Sequence, residues 1–305
     1  MVFEWVVEKC ANAKPFSYGQ IAFKSKILYT SVNVSTQKGI CKLCLKHKYL
    51  QDSHFIGRAV YKRLSEPSLK NPHPILITGQ QTTQSSLQVR DYVFCSDCEG
   101  VFNHGGEAWL YPKIATPSGF ELLSIFDIHR PVVRDLDFSV YDGGQIPEIE
   151  CEKLLHFGAG TFYKAAAHTW HIGGAISTIT LGPYKEALRK FVRGEANFPN
   201  HMVLMVEIAA KPNPFLGVIP PIRMVQKDFC RYVFYISGIL YRLAVGKAIP
   251  ADTHRISFSS KEWKPIFLRD DVSTDVTHII KSLSVGSKKS KKLEEFLKTK
   301  SPVRP

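Results

Sequence analysis

Two cysteine pairs of the same form, Cys41-Lys42-Leu43-Cys44 and Cys95-Ser96-Asp97-Cys98, bracket a stretch of about fifty residues that also carries His54. Four thiolates in two CxxC pairs supply the donor set of a tetrahedral structural zinc site, because each pair wraps a turn of backbone around the ion and the two pairs tie distant segments together. The expectation is Zn²⁺ on Cys41, Cys44, Cys95 and Cys98, making a frame rather than a reaction centre. The alternative is four buried free thiols. Chemistry then falls to side chains the frame positions, and His54 and Glu99, the residue directly after the last cysteine, are the candidates.

Several elements must position them. Gly39 to Lys46 reads as a zinc knuckle, a tight turn whose amides point at sulfur. Tyr49 to Ile56 reads as an extended segment, with His54 near its end and Asp52 on the face opposite Ser53. Arg58 to Leu64 reads as a short amphipathic basic helix carrying Arg58, Lys62 and Arg63. From Glu66 to Gln88, three prolines and many Ser, Thr, Asn and Gln residues predict an exposed loop. Arg90 to Cys95 returns as a strand. Ser96 and Asp97 suit helix capping, and Cys98 to Leu110 reads as a helix, with Gly105-Gly106 a point where it could break.

A CxxC pair, a strand ending in a polar residue plus His54, a variable loop and a second CxxC opening a helix together resemble a zinc-stapled HNH, or His-Me finger, endonuclease with a treble-clef zinc site. The resemblance covers about residues 38–110. It implies a ββα unit in which His54 is the general base that activates water. Glu99 and Asn103, one helical turn apart, would hold a catalytic Mg²⁺ or Mn²⁺, with Ser53 as a further weak ligand. Arg58, Lys62 and Arg63 would then contact the phosphates of a nucleic acid, DNA in the first instance. The resemblance also implies a place in prokaryotic defence against phage or plasmids. Ser53 stands where the family commonly has a metal-binding aspartate, and no residue among Asn71, Gln80, Gln81 and Gln84 matches the family's central asparagine. His104 and Glu107 are near enough to serve as substitute ligands.

The whole chain sets the bounds. It has 305 residues, 44% hydrophobic and 22% charged, which is ordinary globular composition. No run of about eighteen apolar residues suggests a membrane span, and the N-terminal sequence lacks a secretory pattern, so a cytoplasmic location is expected. Seven cysteines, four of them paired as CxxC, fit a reducing compartment and a metal. Forty Lys and Arg against twenty-seven Asp and Glu give a net charge of +13, a field that attracts polyanions.

The expected fold class is α+β, with four divisions. Residues 1–38 read as a strand-rich extension, 39–115 as the zinc-bound unit, 116–280 as a larger mixed α+β domain of unassigned role, and 281–305 as a basic tail. In the larger segment Cys151 to Ile172 reads as helix interrupted at Gly158 and Gly160. Lys185 to Arg193 reads as a helix with Lys185, Arg189, Lys190 and Arg193 along a basic side. Met202 to Val206 and Val233 to Tyr241 read as buried strands, Gly238 marking a bulge. Two rivals to a nuclease stand: a zinc-containing module that holds nucleic acid without cutting it, and an interaction protein whose basic tail docks an acidic partner. A regulatory protein or a second copy of the chain are the protein partners considered.

Overall fold

The computed structural model describes residues 37–65, 74–78, 81–114, 120–172, 175–211, 216–224, 229–285, 287–289 and 291. The fold is mixed α+β. Except for Gln37 and Lys38, the N-terminal extension lies outside the described residues, as does most of the basic tail. No described helix is long and apolar enough to cross a membrane.

The cysteine-bearing segment is a three-stranded antiparallel sheet with His47–His54 in the centre, flanked by Gln37–Ile40 and Arg90–Cys95. The knuckle Cys41–Lys46 joins the first two strands, with Leu45 at φ 60 closing the turn. Between Leu50 and Asp52 the pairing with Arg90–Cys95 slips by one residue, a bulge that re-aims the end of the strand where His54 sits. Helix Ser96–Phe102 follows directly, begins at Cys95 without a side-chain cap, and runs through a π-turn at Asn103–Glu107 into helix Ala108–Ile114. Ser96 and Asp97 therefore do not cap. Asp97 instead pairs with Lys48 at 2.6 Å.

The segment expected as loop contains a small hairpin, Ile75–Ile77 with Gln81–Gln84. Apolar Ile75-Leu76-Ile77 can form a strand here because Gln81–Gln84 offers a pairing edge, which loop-rich composition hides. Lys288–Lys289 joins this hairpin in parallel, so part of the expected tail is a strand. Helix Val272–Leu283 also runs straight through position 280.

Beyond residue 120 a seven-stranded sheet has the order Val218–Met224, Cys230–Ile236, Ile239–Val245, Met202–Ala209, Pro265–Arg269, Phe138–Asp142, Val133–Arg134. Only Met202–Ala209 and Pro265–Arg269 run parallel. The single strand expected over Val233 to Tyr241 is two, joined by a tight turn at Ser237 and Gly238, both with positive φ. Gly238 is required there: its φ is +103, and a Cβ would lie 2.7 Å from the Phe120 ring.

Helix Cys151–Ala167 is continuous, not interrupted. It lies against one face of the sheet, where Gly158 lets it approach Tyr241 so closely that a Cβ would meet the ring at 2.6 Å. Helix Val272–Leu283 packs on the opposite face against Val233, Tyr235 and Leu240. The far side of Cys151–Ala167 meets the π-turn and Phe102, so residues Leu154 and Leu155 and the whole run Phe157–Ala165 are buried. One core cluster thus extends from Cys41 to Ile266, and the apolar interior is continuous across position 115.

Candidate metal centre and the cleft beside it

The four cysteines converge. One sulfur from each of Cys41, Cys44, Cys95 and Cys98 lies within 4.8 Å of all the others, and Cys41, Cys95 and Cys98 are buried. Backbone supports the sulfurs as the knuckle reading expects, with Cys95 N–H donating to Cys41 Sγ at 3.3 Å. A hydrogen bond from Cys98 and amides of the turn draw the Cys41 thiol down to about 4, while the same bond and burial raise Cys98. Crowded thiols that cannot all ionise are what a divalent cation resolves, since coordination deprotonates each sulfur and offsets its charge. The geometry is compatible with zinc.

Support for this cluster comes from the helix read from sequence as carrying a basic side. In Lys185–Val192, Arg189 is 8% exposed and donates to Leu43 O in the knuckle at 3.0 Å, while Glu186 and Glu195 hold its guanidinium. Arg193 reaches Cys98 Sγ at 3.8 Å. Tyr163, on the long central helix, donates its hydroxyl to Lys42 O. The expected basic side of that helix is therefore partly an inward brace, because a guanidinium held by two carboxylates tolerates burial where a free cation does not. The adjacent acids Glu186 and Glu195 were the readable signal.

A cleft of about 530 Å³ opens beside the cluster. His54, Glu99, Asn103 and Arg58 line it together, with Asp52, Glu107 and Tyr111. Ser53, Lys62 and Arg63 do not. Ser53 is buried with its hydroxyl accepting from Phe94 N–H at 3.1 Å, and the last two lie at the far end of helix Arg58–Leu64. The strand expectation for Asp52 holds, since it is exposed while Ser53 is buried, and Arg90 pairs with it at 2.7 Å.

Glu99 is the unusual group in the cleft wall. Burial pushes its carboxyl above the ordinary glutamate value, against the pull of the Lys164 ammonium and the Ser53 hydroxyl. One of its oxygens, Oε1, is buried with no hydrogen-bond partner among the described residues. His54 is held through Nε2, 2.7 Å from Gln88 Oε1. An amide oxygen can only accept, so Nε2 carries the hydrogen and the neutral ring keeps its lone pair at Nδ1.

Beneath the cleft lies Lys164, 2% exposed, paired with Glu107 at 2.6 Å and over the Phe102 ring at 4.5 Å. It comes from the last turn of helix Cys151–Ala167. A lysine inside so apolar a helix demands a buried counter-charge, and that was the missed signal. Gln88, by contrast, sits outside every motif spacing and left no mark. His156, His168 and His171 do not gather at ligand distances. His156 bonds Val192 O at 3.0 Å, and His168 bonds Asp91 at 2.9 Å.

No family model matches this chain, and neither a curated protein nor a solved structure matches it.

Proposed function

We propose that the chain is a metal-dependent nuclease that hydrolyses phosphodiester bonds in DNA, with Zn²⁺ on the four cysteines as its structural frame. The observation that carries this reading is the buried, unpartnered Glu99 oxygen on the wall of a cleft shared with His54 and Asn103. A buried carboxylate oxygen without a partner is rare, and a cation is the partner that suits it. Glu99 and Asn103 would hold Mg²⁺ or Mn²⁺, which when bound supplies Lewis-acid stabilisation of charge on the leaving oxygen. His54, oriented by the bond from Nε2 to Gln88, takes the proton from the attacking water at Nδ1. Arg58, exposed at the rim, meets the phosphate. The defence role rests on the family resemblance alone.

One observation favours the non-cutting alternative. Ser53 is turned into the core, so Glu99 and Asn103 are left as the expected ligand pair, and a weakly held cation would leave a module that binds nucleic acid without cleaving it. The deciding experiment incubates supercoiled plasmid with wild-type protein, His54→Ala and Glu99→Gln, with and without Mn²⁺, the zinc left in place. The nuclease reading expects Mn²⁺-dependent cutting, reduced by about 10²–10⁴ in His54→Ala, the usual contribution of a general base. Cutting by His54→Ala at the wild-type rate would sink the assignment, and a gel shift without cutting would favour the binding module.

A further inference from the structure

A second depression, of about 430 Å³, adjoins the first. Lys38, His47, Lys48 and Tyr49 line it, together with Gln51 and the turn from Cys95 to Asp97. Gln51 and Ser96 also line the His54 cleft, so groove and cleft form one continuous track. We infer that the groove seats an unpaired nucleotide of the strand whose scissile phosphate lies in the cleft. This deepens the nuclease reading and rests on it.

Three features select that occupant. Tyr49 stands 52% exposed, although an aromatic ring on a short sheet would normally be covered, and Lys38 Nζ lies 4.8 Å from its centroid. A nucleobase offers the flat π-face that such a ring stacks on, and an incoming base takes the ammonium's place while the freed ammonium meets the phosphate. Charge agrees: Lys38 and Lys48 line the groove, and the segment from Gln37 to Gln51 holds no acidic residue. The one carboxylate in the groove, Asp97, is already engaged by Lys48. A fully paired duplex keeps its π-faces stacked inside, so it meets the lysines but leaves Tyr49 unused. The ring therefore argues for an unpaired segment, such as a single-stranded extension or a frayed end, next to the cut. The groove volume falls within the roughly 300–1,000 Å³ common for ligand sites.

The test measures binding, not cutting. Fluorescence anisotropy is read on the full-length His54→Ala chain without Mn²⁺, using a labelled blunt DNA duplex and the same duplex with a short single-stranded extension. The extension is expected to tighten binding roughly tenfold, the scale of one base–aromatic stack. Tyr49→Ala should erase that gain and Tyr49→Phe should keep it. Lys38→Gln should reduce the slope of log affinity against log salt by about 0.7–0.9. If Tyr49→Ala keeps the full gain, the groove assignment is overturned, while plasmid cutting by the chain with His54 intact would leave the cleft reading standing. If poly-glutamate of equal charge competes as well as single-stranded DNA, charge alone explains the groove and the assignment also falls. Failure of wild type both to bind either duplex and to cut plasmid would remove the two readings together.

Discussion

At the cysteine cluster four donors face one point, with all sulfurs within 4.8 Å of one another. In the cleft beside it, His54, Glu99 and Asn103 share an open wall, and the charge that sits beneath them comes from Lys164 in another part of the chain. The first arrangement is closed and needs only its own ligands to be recognised. The second is open, as the proposed substrate site would have to be, and its support is spread over distant sequence. The contrast teaches that spacing reveals a structural site readily, while an open site declares itself through its supports: a buried lysine, an orphaned oxygen, an oriented imidazole.

That contrast can be broken at several points, beginning with the largest effect. Cys98→Ser should eliminate about one bound zinc per chain and lower the melting temperature more than any other single change, since structural zinc in small fingers contributes about 10–16 kcal/mol of binding free energy. Metal analysis beside calorimetry reads both, and a zinc content unchanged by the substitution would mean that Cys98 is not a ligand. On the cleft side, Lys164→Met leaves the half-buried Glu107 carboxylate without its cation and should destabilise by about 2–3 kcal/mol in urea unfolding. The double variant Lys164→Met, Glu107→Gln should recover most of that loss. If the single variant is as stable as wild type, the pair is not a support at all.

A smaller effect sharpens the link between the two sites. Arg189→Ala removes the donor to Leu43 O in the knuckle and should cost about 1–3 kcal/mol. Zinc transfer to a chelator should speed up in the same variant, which a purely local loss of packing would not produce. The smallest effect concerns acid. Burial depresses the His156 pKa below its ordinary 6.5, so as pH falls through that value the unfolded chain takes up a proton the folded chain refuses. Stability should therefore decline from about pH 6.5 downward, and the melting temperature of His156→Gln should vary less over that range.

Legibility followed the same divide. The CxxC spacing, the placement of His54 at a strand end and the helix opening at the second pair could be read because each depends on near neighbours in sequence. Val233 to Tyr241 looked like one strand because its apolar run hides a turn that only the positive φ of Ser237 and Gly238 reveals. Gly158 looked like a helix break, whereas it permits contact with Tyr241, more than eighty residues away in the chain. Arg189 read as one member of a basic side because the knuckle carbonyl it reaches lies far away in sequence, although its acidic partners are near neighbours. Gln88 illustrates the limit, for nothing local distinguishes it from the other polar residues of its stretch.

The π-turn at Asn103–Glu107 has a consequence of angular phase. An ideal α-helix rotates about 100° per residue, so eight residues would carry Glu107 about 80° around the axis from Glu99. A π-turn spends more residues on each revolution and so rotates less per step, swinging Glu107 back toward the azimuth of Glu99. Glu99, Asn103 and Glu107 thereby stand in one column along the cleft, and Gly106 lets the widened turn press against Phe157 and Lys153 O of the central helix. The widened turn works as a vernier: without it the column would shear, and the carboxylate paired with Lys164 would point away from the cleft it underlies.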